Sequence, residues 1–273
     1  MLEIVQFEEV TQIRMCPSAQ GRLRYWVSAY LIDGLLIDTG SAYVATSLLK
    51  YLTAQKLDAV VNTHHHEDHV GGNRLLQDAF DIPLYAHPLA IPLIERPAAL
   101  SAYRKRLWGV PEPSFPQPIQ REIHTRNHSF EVIDAPGHCP GHVCLVERDK
   151  GWVFSGDLYI SQTPRTAGPE NDIGQMLASM KKLCELPMER LILFTSLRTI
   201  EKKGRERLLR CMGWYQELAS RASEMRRQGR TIDEIVQALF GGESIFAGLT
   251  GGLYTSQRLV SLLLTFRSNG GAG

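Results

Sequence analysis

The chain has 273 residues, 44% of them hydrophobic and 22% charged, and its 30 Lys plus Arg nearly cancel its 29 Asp plus Glu. That length can bury a sizeable core, and a formal net charge of +1 excludes recruitment of polyanions by the chain as a whole, so anion binding must come from local clusters. No stretch reaches the ~18 apolar residues of a membrane span, MLEIVQFEEV lacks the basic start and apolar core of a secretion signal, and Cys16, Cys139, Cys144, Cys184 and Cys211 form no CxxC pair, so a cytoplasmic protein with reduced thiols is expected.

Residues 1–40 read as strands. YWVSAYLI and LLID are short β-rich runs parted by Asp33-Gly34, a two-residue hairpin signal, and the second run leads into Asp38-Thr39-Gly40. Over residues 43–55, Val44, Leu48, Leu49 and Leu52 share one helical face, and LDAVV is a buried strand feeding into NTHHHEDHVGGN. NRLLQDAF then reads as a helix and IPLYAH as a strand. This βαβ alternation predicts a layered α/β architecture.

Residues 90–127 break the pattern. Pro92, Pro97, Pro111, Pro113, Pro116 and Pro118 surround ALSAYRKRLW, which carries Arg104, Lys105 and Arg106 in a row, and such an insertion is expected to be a surface cover or lid. FEVIDAP, VCLVERD and GWVFSGD return to strand character, and LILF (191–194) is the last core strand. Beyond residue 203, Leu208, Met212, Tyr215, Ala219 and Ala222 recur at helical spacing until Gly229. Thr231-Ile-Asp-Glu234 is a capping-box pattern opening IVQALF, and QRLVSLLLTF is a further helix. Residues 203–230 hold eight Lys or Arg against three Glu, a basic bias hidden by the net charge. The expected organisation is a catalytic domain over 1–200 with a helical extension over 201–273. Leu239, Phe240, Ile245 and Phe246 offer apolar surface for packing on that domain or on a second chain, and a homodimer is expected.

Four of the nine histidines and two carboxylates fall within residues 64–69. His64, His66, Asp68 and His69 form an HxHxDH pattern just past a strand. Imidazole and carboxylate suit borderline metals such as zinc, which takes about four ligands at roughly 2 Å. In an extended segment His64 and His66 project to one side and can grip one ion, whereas His65 projects away. Asp68 and His69, where the chain turns, can reach a second ion. A helical HExxH site is excluded because Val70 stands three residues after Glu67, and Gly71-Gly72 opposes a helix there. Downstream, DAPGHCPGH places His138 in a loop after a strand and VFSGD places Asp157 at a strand end.

In order and spacing these motifs resemble the metallo-β-lactamase superfamily of hydrolases. The resemblance implies an α/β fold, a four-layer αββα sandwich with the metals at one edge between the sheets, followed here by the helical extension. It implies His64, His66 and His138 on a first ion, Asp68 and His69 on a second, and Asp157 bridging the two. Asp38, in LLIDTG, would orient the histidine loop from behind the ligands. His142, the second histidine of the GHxxGH-like loop, is in many relatives a wall or structural residue. THHHEDHVGGN looks most like the glyoxalase II and general thioesterase side of the superfamily. The expected activity is therefore zinc-dependent hydrolysis of an ester-like bond, thioester first, with one or two ions per chain and Asp68 taking the proton of the attacking water. Iron and manganese accept the same ligands. His142, Tyr159, Arg104, Lys105 and Arg106 are the candidates for contact with a small anionic substrate. Two other readings stay open: a mononuclear iron enzyme like the persulfide dioxygenases, and a nuclease or RNA-binding protein, which the near-zero net charge and the lack of interleaved aromatics disfavour.

The family's last ligand is a histidine in a Pro-Gly-His-Gly-like turn after the final core strand. Here that turn reads LILFTSLRTI, and every histidine lies between residues 64 and 142. Three consequences compete: a second ion held by Asp68, His69, Asp157 and waters with help from Ser196 or Thr195, a one-metal centre, or an iron site.

Overall fold

Residues 1–17 and 25–265 are described by a computed structural model. Phe266, the end of the QRLVSLLLTF run, lies outside the described residues. The chain divides into two units: Met1–Asp134, Pro140–Asp157 and Met188–Lys202 form the first, and Ala135–Cys139, Leu158–Pro187 and the chain from Lys203 form the second. Residues 135–139 and 158–187 group with the C-terminal helices.

The first unit holds two sheets. β1 (Leu2–Phe7), β2 (Val10–Met15), β3 (Val27–Ile32), β4 (Leu35–Ile37), β5 (Ala59–Val61), β6 (Leu84–Ala86) and β7 (Gln117–Pro118) lie side by side in chain order. β1 to β4 pair antiparallel, and β4 to β7 pair parallel. The other sheet runs β8 (Glu122–His124), β9 (Ser129–Asp134), β10 (Val143–Glu147), β11 (Trp152–Gly156), β12 (Ile192–Thr195) and β13 (Ile200–Glu201). Only its β11–β12 pair is parallel. Asp33 and Gly34 both take positive φ (46° and 88°), as the two-residue turn between β3 and β4 requires.

Period-two alternation decides which residue faces where. Tyr30, Ile32, Leu35 and Ile37 enter one core with Phe130, Leu145, Trp152, Phe154 and Phe194 of the other sheet. Within it Phe154 stacks on Phe194 at 4.7 Å and Tyr30 meets both rings edge-on. Burying such a ring stabilises the fold by about 1.5–3 kcal/mol. Ala29, Leu31 and Leu36 face the opposite side, where Leu48 and Leu52 of α1 (Ala45–Leu52) cover them. The unit's other helices are short: α2 (Glu67–Val70), α3 (Asn73–Ala79), α4 (Ile91–Glu95) and α5 (Ala102–Trp108).

Two expectations need correction here. The Pro-rich stretch 90–127 is not wholly a cover, because β7 and β8 within it join the two sheets. And the stretch before Gly71-Gly72 does form one helical turn, α2, with both glycines at helical φ. Their role is close approach: a Cβ on Gly71 would lie 2.2 Å from the Ala42 nitrogen, and one on Gly72 2.8 Å from the Thr39 carbonyl.

The second unit contains α6 (Ile173–Cys184), α7 (Gly204–Arg227), α8 (Ile232–Phe240), α9 (Ile245–Leu249) and α10 (Ser256–Thr265). Ala222, Ile235, Val236 and Val260 form its helical core, against which Leu239 and Phe240 pack. Those two residues are therefore spent within the unit, whereas Ile245 is exposed. The capping box of α8 is present: the Glu234 amide donates to Thr231 Oγ1 and the Thr231 amide donates to Glu234 Oε2. Gly241 closes the helix in the left-handed region. On α7 the basic residues meet acidic neighbours one turn away, Arg210 with Glu206 and Arg221 with Glu217, as on a solvated face. No helix among the described residues is long and apolar enough to cross a membrane.

Candidate metal centre

The ends of four strands in the first unit meet at one edge of its two sheets. Asp38 follows β4, Thr63 and His64 follow β5, Asp157 follows β11 and Ser196 follows β12. Hydrogen bonds join the sheets there: the Val143 amide donates to the Thr63 carbonyl at 2.8 Å, and the Ser28 amide donates to the Ser196 carbonyl at 2.6 Å. A Cβ on Gly156 would lie 3.0 Å from Thr63 Oγ1 and 2.6 Å from His142 Nε2, so only glycine lets the strands approach this closely.

Asp38, at φ 62°, is the hub of the histidine loop. Its Oδ1 accepts from the Thr63 amide at 2.8 Å, and its Oδ2 accepts from Thr63 Oγ1 at 2.8 Å and from His69 Nδ1 at 2.7 Å. Thr63 Oγ1, having given its proton to Asp38, lies 3.1 Å from His64 Nδ1 and accepts from it. Both imidazoles thereby commit Nδ1 to these oxygens, which leaves Nε2 as the atom that can serve a metal ion once any proton on it is displaced. Asn62 Nδ2 and Thr39 Oγ1 hold the His69 carbonyl, and the Asn73 side chain bonds both of them.

His64, His66 and Asp157 each offer a ligand atom, all within 4.8 Å of one another, and His64 Nε2 lies 3.1 Å from His66 Nδ1. Beside them, the fully buried His69 Nε2 lies 3.3 Å from Asp157 Oδ1 and 3.9 Å from Asp68 Oδ2, yet makes no hydrogen bond within the protein. A ring nitrogen facing two carboxylates calls for positive charge between them, supplied by its own proton or by a metal ion. The pKa pattern agrees. Burial pushes Asp68 up to about 7 against the pull of the nearby His69, and the negative charges of Glu67 and Asp157 push the same way as burial. Burial opposes charge on His69, but Asp38, Asp157 and Asp68 outweigh it and hold the imidazole well above its ordinary value. The pocket draws in protons where a divalent ion would supply the charge, and the donor set of imidazoles and carboxylates fits such an ion.

The remaining expected residues fall into different places. His142 Nε2 accepts from the Asp157 amide at 3.1 Å, so this ring sets the Asp157 turn rather than presenting that nitrogen to a substrate. Arg104 grips Glu67 through Nε and a terminal nitrogen, each 2.5 Å from a carboxylate oxygen, and Glu67 is 2% exposed. Its charge therefore ties α5 to the histidine loop, while Lys105 and Arg106 are exposed. Tyr159 is buried in the second unit.

His138 lies in that unit too, four residues beyond β9. There α6 holds its loop: Asn171 Nδ2 donates to the His138 carbonyl at 2.9 Å, the Asp172 amide donates to the Gly137 carbonyl at 2.7 Å, and Ser179 donates to the Pro136 carbonyl at 2.8 Å. Gly137, at φ 126°, leaves no room for a Cβ against Met176. Sequence reasoning missed this helix, and with it Thr63, Asn62, Asn73 and the Glu67–Arg104 pair.

The profile of the Metallo-beta-lactamase superfamily matches residues 27–193, which run from the start of β3 into β12. The chain belongs to that superfamily. Among similar proteins, a hydroxyacylglutathione hydrolase of Nitrosomonas eutropha is 34% identical over 61% of this chain and 58% of its own length. The chain thus spans little more than half of that curated relative. The solved structure of TTHA1623 in a di-iron-bound form is 33% identical, with a TM-score of 0.55 over 70% of this chain and 96% of that one. A beta-lactamase domain protein from Burkholderia ambifaria, 17% identical, shares the fold with a TM-score of 0.70 over 96% of this chain and 90% of its own. The fold is accordingly the metallo-β-lactamase α/β sandwich, with helices following it in the chain.

Proposed function

We propose that the chain is a metal-dependent hydrolase of ester-like bonds, with a thioester of a small anionic acyl carrier as the favoured substrate. The observation that carries this reading is the convergence of His64, His66 and Asp157 beside a His69 that Asp38 orients and that faces two carboxylates. Zinc is the favoured ion. The hydroxyacylglutathione hydrolases at about one-third identity support the thioester.

A zinc-class ion supplies Lewis acidity, polarising a carbonyl and lowering the pKa of water to about 7. The chain does the rest. Asp68, one residue from His69, holds the attacking water in line and accepts its proton. Asp38 keeps His69 in one tautomer through the cycle, and His142 keeps the Asp157 turn in register through the amide it accepts from. Glu67 and Arg104 fix α5 over the loop, which leaves exposed Lys105 and Arg106 to meet the anionic tail of a substrate.

The test is a panel of thioester, carboxylic ester, lactone and phosphodiester substrates, assayed before and after removal of metal with a chelator and after zinc is restored. The reading expects thioester cleavage that disappears on chelation and returns with zinc. Cleavage indifferent to chelation would sink it. A second reading is a mononuclear iron centre in place of zinc with oxygen-dependent sulfur chemistry; the di-iron-bound form of the relative TTHA1623 supports iron as an ion this fold accepts and no more. Elemental analysis showing iron, together with oxygen uptake on a persulfide and no thioester cleavage, would favour it.

A further inference from the structure

The loop after β12, residues 195–198, carries no histidine, yet it is among the most firmly held loops of the first unit. Tyr30 OH donates to the Thr195 carbonyl at 2.5 Å, Ser28 Oγ donates to the Leu197 carbonyl at 2.5 Å, and the buried Gln12 amide group reaches the Leu197 and Arg198 carbonyls at 3.4 and 3.3 Å. The Ser196 amide donates to the Gly156 carbonyl at 3.3 Å, which continues the parallel pairing of Gly156 with Thr195 and sets Ser196 beside the Asp157 turn. Phe194 faces the core between the sheets, so strand alternation sends Ser196 to that same side, at the edge where Thr63 and Gly156 meet.

Of the two hydroxyls in this loop, Thr195 Oγ1 is committed to the Thr199 carbonyl at 2.9 Å. Ser196 Oγ is not. The residue is 3% exposed and its hydroxyl makes no hydrogen bond within the protein, an arrangement that is unfavourable unless a partner arrives from outside. His69 Nε2 likewise makes no well-formed hydrogen bond, and it faces Asp157 Oδ1 at 3.3 Å. Ser196 and His69 thus come from different sheets to the strand-end edge that carries Asp157.

We propose that Ser196 Oγ takes the coordination position of the absent final ligand, so that Asp68, His69, Asp157 and Ser196, directly or through a water, form a second, weaker ion position beside a tight first one. This rests on the metal-hydrolase reading above and deepens it. A neutral hydroxyl is a poorer ligand for a borderline ion than an imidazole, so the two positions are unequal and the second ion exchanges readily.

The test is titration of chelator-stripped full-length protein with Zn2+ by calorimetry and with Co2+ by absorbance, for the wild type, Ser196→Ala and Ser196→Cys. Cysteine is nearly isosteric with serine, so the fold survives the change, which circular dichroism verifies. The wild type should bind two ions, the second at least about 10-fold more weakly. S196A should weaken the second event and leave the first unchanged. S196C should strengthen the second event about 10-fold or more and add a thiolate-to-cobalt charge-transfer band that grows only with the second equivalent. Two equal events in the wild type, or an S196C protein with unchanged affinity and no band, would overturn the proposal. Should S196C behave as expected while no thioester is cleaved, the hydrolase reading fails and this one stands; metal-dependent cleavage with an inert S196C gives the reverse.

Discussion

Two strand-end loops of the first unit make an instructive pair: residues 62–69 after β5 and residues 195–198 after β12. Both are pinned by buried hydrogen bonds to their backbones, the first by Asp38 and Thr39, the second by Gln12, Ser28 and Tyr30. Only the first is filled with nitrogen donors. The lesson is that the scaffold that positions a ligand and the ligand itself are separate properties of the sequence, and that here the second loop keeps the former while reducing the latter to one hydroxyl.

That contrast can be broken at several points. The largest effect is expected at the donor-rich loop: His64→Ala should abolish retention of a firmly bound ion through gel filtration, with metal content measured by elemental analysis. Retention of a full equivalent by H64A would remove His64 from the ligand set. Arg104→Ala comes next, because it leaves Glu67 buried and unpaired, and a loss of about 3–5 kcal/mol in denaturant unfolding is expected. Asp38→Ala should cost about 10–100-fold in ion affinity, since it frees His69 to rotate and change tautomer. Smallest is Tyr30→Phe, which removes one hydrogen bond to the donor-poor loop and should cost about 0.5–1.5 kcal/mol, with the weaker of two zinc-binding events affected more than the stronger.

The pH dependence sharpens the same comparison. Asp68 and His69 both have folded pKa values above their unfolded ones. Their contribution to the metal-free protein is therefore fully present at low pH and is lost as pH rises through the folded values, about 7 for Asp68. Bound metal displaces those protons, so its stabilisation should grow with pH. Thermal melts from pH 5 to pH 8 should show a falling Tm for chelated protein and a widening Tm gap on adding zinc. In Asp68→Asn the fall should flatten, and an unchanged slope would remove Asp68 as its source.

Much of the fold and the centre was legible because its signals are local. HxHxDH needs only the projection of neighbouring residues, Asp33-Gly34 only its own dihedral angles, and the α8 capping box only four residues. What escaped was long-range. Tyr30 meets Thr195 across 165 residues and Gln12 meets Arg198 across 186, and nothing in either segment announces the other. Arg104, read as a substrate contact because it stands in a basic run, pairs instead with Glu67 across 37 residues. The helix α6 is a different case. Ile173, Met176, Leu177, Met180 and Leu183 recur at helical spacing behind an Asp172 cap, a plain local signal to which the sequence analysis assigns nothing. Cys139 belongs to the same lesson, since its neighbour His138 sits in a loop whose anchors are Ser179 of that helix and Asn171 and Asp172 just before it.

The most direct test of the account is the metal content per chain, measured by elemental analysis on protein purified without added metal and again after exposure to excess zinc and rapid desalting. The account predicts close to one firmly held divalent ion in the first sample and a second, only partly retained, in the other. Protein that holds no ion in either sample would contradict it.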